Sequence, residues 1–93
     1  MALISSETII QHSLNQVSTE VNNDLMILDI EHGSYIKLDE IGKTIWLELE
    51  NPKSFADLVK ALQQQFDATE EEIATETKEF VENLVGKKLL ELL

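Results

Sequence analysis

Leu25-Met26-Ile27-Leu28-Asp29-Ile30, then Glu31-His32-Gly33-Ser34, then Tyr35-Ile36-Lys37-Leu38-Asp39 is the stretch that decides the fold. The first run is nearly continuous in apolar residues and of strand length, which reads as a central strand. Glu31 to Ser34 is turn chemistry, with Gly33 free to take positive φ. From Tyr35 to Leu38 the pattern alternates, placing Ile36 and Leu38 on one face and Tyr35 and Lys37 on the other. Upstream, Val17-Ser18-Thr19-Glu20-Val21 also alternates and carries β-branched residues. Asn22-Asn23-Asp24 between the two runs tolerates left-handed backbone. Three short strands with tight turns predict an antiparallel meander. Thr8-Ile9-Ile10-Gln11-His12 ahead of it reads equally as a further short strand or as an arm.

After Leu38 the apolar period changes from 2 to 3.6. Asp39 is placed to cap a first helix whose Ile41, Ile45 and Leu49 recur on one face beside Trp46, a core residue on this reading. Asn51-Pro52 ends it. Ser54, with Asp57 three residues on, starts a second helix with the stripe Phe55, Leu58, Val59, Leu62 and Phe66. Thr69 with Glu72 is a capping box for a third, and Glu70, Glu71 and Glu72 suit the positive end of its dipole as Lys87 and Lys88 suit the other. Along it Ile73, Thr77, Phe80 and Leu84 share a face, and Ala74, Val81 and Val85 lie on the adjacent one. That apolar arc is wider than one core stripe requires, which leaves either deep burial or an open groove. A meander also has two edges, one of which can accept another strand. The expected class is α+β, winged helix-turn-helix-like: a three-stranded antiparallel sheet followed by three helices.

The chain has 93 residues, which fits one domain, 1–93, with a small core over roughly 17–90 and residues 1–16 as the strand or arm. It has no cysteine, so disulfides, thiolate metal sites and a cysteine nucleophile are excluded. Its net charge is −11, with no arginine and with acids outnumbering lysines in both halves. That is a poor fit to phosphate backbones or anionic membranes. The start lacks a signal peptide and no apolar run approaches a membrane span, so the expected location is cytosolic. The acidity itself has two readings, steering of basic partners or plain solubility.

Nothing in the chain points to catalysis. His12 and His32 fall in no ligand motif and read as surface or turn residues. Glu70, Glu71 and Glu72 are consecutive on a helix and point in different directions. Asp24, Asp29 and Asp39 are not spaced as a calcium loop, and the glycines form no phosphate loop. No metal and no cofactor are expected. Tyr35 reads either as cover for an open sheet face or as part of a binding surface.

Met26-Ile27-Leu28-Asp29-Ile30, Gly33-Ser34-Tyr35-Ile36-Lys37-Leu38-Asp39 and Gly42-Lys43-Thr44-Ile45-Trp46 resemble, in order and spacing, the signature of the PqqD-like family. These are the recognition elements of ribosomally made, post-translationally modified peptides (RiPPs). Ser54 to Phe66 resembles the family's second helix, and Phe80, Val81 and Leu84 its third. Two positions depart from the pattern. Asp39 stands where Asn is common, and Lys88 stands near a frequent Gly before the final apolar pair, here Leu89-Leu90, which leaves the third helix room to run on. The resemblance implies non-catalytic binding of a precursor's leader peptide, which adds as an antiparallel strand to the third strand and docks against the third helix. It implies Ser34, Tyr35, Ile36, Lys37 and Leu38 on the strand side, and Ala74, Thr77, Lys78, Val81 and Val85 on the helix side. It further implies a free-standing member of the kind found in lasso-peptide pathways, with a separate maturation enzyme, a transglutaminase-like leader peptidase, as partner. Pathways with radical-SAM or cyclodehydratase enzymes are the alternative within the family. Outside it, the competitors are a DNA-binding winged helix, opposed by Glu70, Glu71, Glu72, Glu76, Glu79 and Glu82 on its candidate recognition helix, and an adaptor that docks a helix.

Overall fold

A computed structural model describes residues 4–14 and 16–93; residues 1–3 and Asn15 of the expected arm lie outside the described residues. The elements are β1 (Ile9–His12), β2 (Gln16–Val21), β3 (Asp24–Asp29), β4 (Ser34–Leu38), α1 (Glu40–Glu48), β5 (Lys53–Ser54), α2 (Phe55–Gln63), α3 (Glu70–Gly86) and β6 (Leu90–Leu92). The expected meander is present as an antiparallel sheet in the order β2-β3-β4. Its register pairs Leu28 with Val17 and Tyr35, and Ile27 with Ser18 and Ile36. Asn22 and Asn23 both take positive φ, at 53° and 72°, the backbone of a two-residue type I′ hairpin whose twist matches its strands. Leu25 and Ile27 turn inward on β3, and Leu38 does so on β4.

All three helices start where the capping residues place them. Asp39 Oδ1 accepts from the Gly42 N–H at 2.7 Å, Ser54 Oγ from Asp57 at 3.1 Å and Thr69 Oγ1 from Glu72 at 3.1 Å, each meeting an orphan donor of a first turn. Their apolar stripes converge with the sheet on a single core that includes Ile45, Trp46, Leu49, Leu58, Leu62, Val81 and Leu84.

A second sheet, ordered β5-β1-β6, goes beyond the expected single sheet. It resolves the open reading of residues 8–12 in favour of a strand. Ile9 and Ile10 pair with Ser54 and Lys53, and Ile10, Gln11 and His12 pair with Leu92, Glu91 and Leu90. The arm also reaches two helix ends. The Thr8 and Ser6 carbonyls accept from the Phe55 and Ala56 N–H groups that open α2, and Ser13 Oγ donates to the Lys88 carbonyl at 2.8 Å. His12 is not the surface residue expected. It stacks on Trp46, with ring centroids 3.8 Å apart and planes at 14°, and its Nε2 lies 2.9 Å from the Trp46 carbonyl. A carbonyl only accepts, so Nε2 carries the proton.

The third helix does not run on past Lys88. Lys88 itself takes the left-handed conformation, φ 63°, and closes a Schellman motif: Leu89 N–H to the Leu84 carbonyl at 2.9 Å and Lys88 N–H to the Val85 carbonyl at 3.0 Å. Leu84 and Leu89, both buried, supply the apolar contact of that motif. The chain then leaves at once into β6.

Two outcomes follow from these contacts. A β-carbon at left-handed φ costs roughly 1–2 kcal/mol, partly offset by the greater freedom of glycine in the unfolded chain. Lys88→Gly is therefore expected to stabilise by about 0.5–1 kcal/mol, read as a higher urea midpoint with the same slope. For His12, burial disfavours the cation and holds its pKa below the free value of 6.5; the Trp46 carbonyl and the charge of Glu50 oppose this without cancelling it. Between 6.5 and that lowered value the unfolded chain binds more protons than the folded one, so unfolding free energy falls as pH is lowered through this window. His12→Phe keeps a ring on Trp46 and is expected to flatten the pH dependence between 7 and 5; identical slopes in the two proteins would contradict the burial argument.

Candidate functional site

Among the described residues both outer strands of the sheet β2-β3-β4 are paired on one side only, with β3, and it is the β4 edge that lies next to α1 in the chain. Three features fix this edge. At one end, residues 30–33 close the hairpin, with Gly33 at φ 66° donating to the Asp29 carbonyl at 2.7 Å. Asp29 turns its almost fully buried side chain to the same loop. Its Oδ2 lies 2.6 Å from His32 Nδ1 and its Oδ1 accepts from the His32 N–H at 3.3 Å. Burial pushes the Asp29 pKa up, but the hydrogen bonds from the His32 ring and backbone, the charge of that ring and the Glu31 N–H together hold it below the ordinary carboxylate value. At the other end, Asp39 alone separates β4 from α1, so the helix start is locked to the end of the strand.

The third feature is α3. Lys88 Nζ approaches Glu31 of the β3–β4 loop at 3.9 Å, and further back along α3 Phe80 lies against the first turn of α1. A β-carbon added at Gly42 would sit 2.8 Å from Phe80 Cε2, so glycine is what permits this approach. Between the two helices runs a groove of about 440 Å³ lined by Asp39, Ile41 and Gly42 on one side and Glu76, Phe80 and Asn83 on the other. It starts where β4 ends. Asp39, which lines it, directly follows Leu38 of β4.

The structure gathers Ser34, Tyr35, Ile36, Lys37 and Leu38 on this one strand, but in different roles. Ile36 is half-buried on the core face. Leu38 is buried in the core. Tyr35, 61% exposed, stands on the outward face in line with Leu28 and Val17. Lys37 shares that outward face and lies 3.4 Å from Asp24, and Ser34 is exposed. The five helix residues are not brought together with them as one surface. Thr77 and Val81 are fully buried because they occupy the centre of the stripe that packs on the core. Ala74, Lys78 and Val85 lie at 100° per residue on one flank of that stripe, and Glu76, Phe80 and Asn83 on the other. Val85 lines a depression with Ser13 and Leu90 beside β6, away from the groove.

Phe80, Asn83, Glu76, Ile41 and Gly42 line the groove but were not among the binding residues expected from the sequence. A signal for them existed. With one residue between β4 and α1, whichever α3 flank faces the start of α1 lies near the end of β4.

The comparisons with known proteins bear on the family and the fold. The family model for coenzyme PQQ synthesis protein D (PqqD) matches residues 24–90, and the chain belongs to that family. The fold matches a solved structure described as TbiB1 in complex with the TbiA(β) leader peptide, at TM-score 0.79 and 27% identity, covering 87% of this chain and 94% of that one. It also matches a lasso peptide synthetase B1 complexed with the leader peptide, at TM-score 0.78 and 16% identity over 88% and 96% of the two chains, a likeness of fold. None of the curated proteins matches in sequence. No helix among the described residues is long and apolar enough to cross a membrane.

The burial of Val81 has a direct consequence. Val81→Glu would leave an unpaired carboxylate in the core, and is expected to cost at least about 3 kcal/mol. Thermal unfolding checks this: an unchanged midpoint would mean that Val81 faces the surface after all.

Proposed function

We propose that this protein is a non-catalytic RiPP recognition element that captures a precursor's leader peptide as an additional antiparallel strand on β4. The observation that carries the reading is the unpaired β4 edge, continued by the groove between α1 and α3, in a fold shared with a B1 protein in complex with its leader peptide. Main-chain hydrogen bonds along Ser34–Leu38 supply affinity that is largely independent of sequence, and side chains entering the groove supply selection. Ile36 is suited to receive an apolar side chain of the added strand, since it is only half covered by the chain itself. The bound peptide is then presented to a separate maturation enzyme, a lasso-peptide leader peptidase being the partner that fits the structural neighbours best.

A DNA-binding role is disfavoured by charge. The groove flank of α3 presents Glu76 and Glu79, and its first turn Glu70, Glu71 and Glu72, all of which repel phosphate.

Amide exchange of the protein with and without the TbiA(β) leader peptide tests the mode of binding. Strand addition is expected to slow exchange of alternate amides within Ser34–Leu38, by about tenfold or more at saturation, while β2 amides stay unchanged. Saturable binding that protects helical amides alone would overturn strand addition in favour of a docked helix.

A further inference from the structure

The groove between α1 and α3 has a smaller cavity as its neighbour, with Ile41 and Glu76 lining both. This cavity, about 90 Å³, has apolar walls from Ile41, Leu62, Phe66 and Ile73. Two features of it are not apolar. Thr77 lines it with a fully buried side chain whose Oγ1 has no hydrogen-bond partner. Glu72 and Glu76 line it as well, one helical turn apart, with Glu79 next along the same flank at the groove. None of the three glutamates has an ion-pair partner among the described residues. Like charges at this spacing oppose the helix that carries them, and a buried hydroxyl without a partner is unfavourable in its own right.

The complement of such a site has a defined chemistry. A purely apolar side chain would fill the volume yet leave the hydroxyl unmet and the carboxylates uncompensated. A metal ion is a poor fit, since no three acidic or histidine side chains converge among the described residues and the walls are hydrocarbon. An aliphatic stem that ends in a cationic N–H donor meets all three demands.

We propose that this cavity selects a lysine or arginine of the captured leader, its stem against Ile41, Phe66 and Ile73, its N–H groups donating to Thr77 Oγ1 and its charge neutralised by Glu72 and Glu76. The inference rests on the reading of β4 as the docking edge. It then also fixes a position in the peptide: for a strand antiparallel to β4, the basic residue precedes the paired segment, because the groove leaves from the C-terminal end of β4.

The test pans random phage-displayed peptides on the full chain and remakes enriched sequences as synthetic peptides. Enriched peptides are expected to carry Lys or Arg ahead of an extended stretch, and to lose about tenfold in affinity when that residue becomes norleucine. Against the Glu72→Gln/Glu76→Gln protein, whose substitutions lie at exposed positions, the same exchange is expected to cost about twofold or less. Added salt should shrink the difference in the unmodified protein. Peptides that protect β4 amides but bind equally well with norleucine overturn the cation site and leave the edge reading standing. If no enriched peptide protects β4, the edge reading falls and the cation site with it.

Discussion

Strand β1 is hydrogen-bonded on both sides, to β5 through Ile9 and Ile10 and to β6 through Ile10, Gln11 and His12. It brings residues from the two ends of the chain together and holds them there with further bonds to the start of α2 and the end of α3. The same pairing commits the N-terminal segment to a sheet of its own. With β1 committed to its own sheet, the outer N–H and C=O groups of β4 have no partner strand, and an edge with unmet main-chain groups is a template for an incoming chain.

The edge is also held rigid. The buried Asp29 carboxylate fastens the β3–β4 loop through His32, and the Asp39 cap starts α1 immediately after Leu38. A strand fixed at both ends is pre-organised for pairing, which lowers the ordering entropy of association. The Schellman turn at Lys88 serves the same geometry from the other side: it stops α3 beside the hairpin loop and redirects the chain into β6. Glycine is the usual residue at such a left-handed position, and Gly86 stands two residues too early to fill it.

The meander and the helix starts were legible because they are local. Asn22-Asn23 specifies a left-handed turn, and Asp39, Ser54 and Thr69 each meet an N–H three residues on, so neighbours in sequence settle these features without reference to the rest of the chain. Strands β5 and β6, of two and three residues, are too short to show a period, and they exist because β1 meets them across the length of the chain. On α3, the apolar arc of Ile73, Ala74, Thr77, Phe80, Val81, Leu84 and Val85 was visible, but its centre was not. Only packing decides that Val81 is sealed while Phe80 is left half-covered at the groove.

What the sequence determined by itself was therefore the three meander strands and the three helices, their boundaries at capped ends, the acidic character of the surface, and the family to which the residues from Met26 to Trp46 point. The tertiary structure decided that β1 pairs outside the meander, which flank of α3 faces the start of α1, and that Thr77 shares a cavity with Glu72 and Glu76. The physical reason is the range of the forces involved. Turns and caps are closed by hydrogen bonds between residues a few positions apart, whereas a groove is the space left between elements whose relative placement is fixed by burial of side chains distant along the chain.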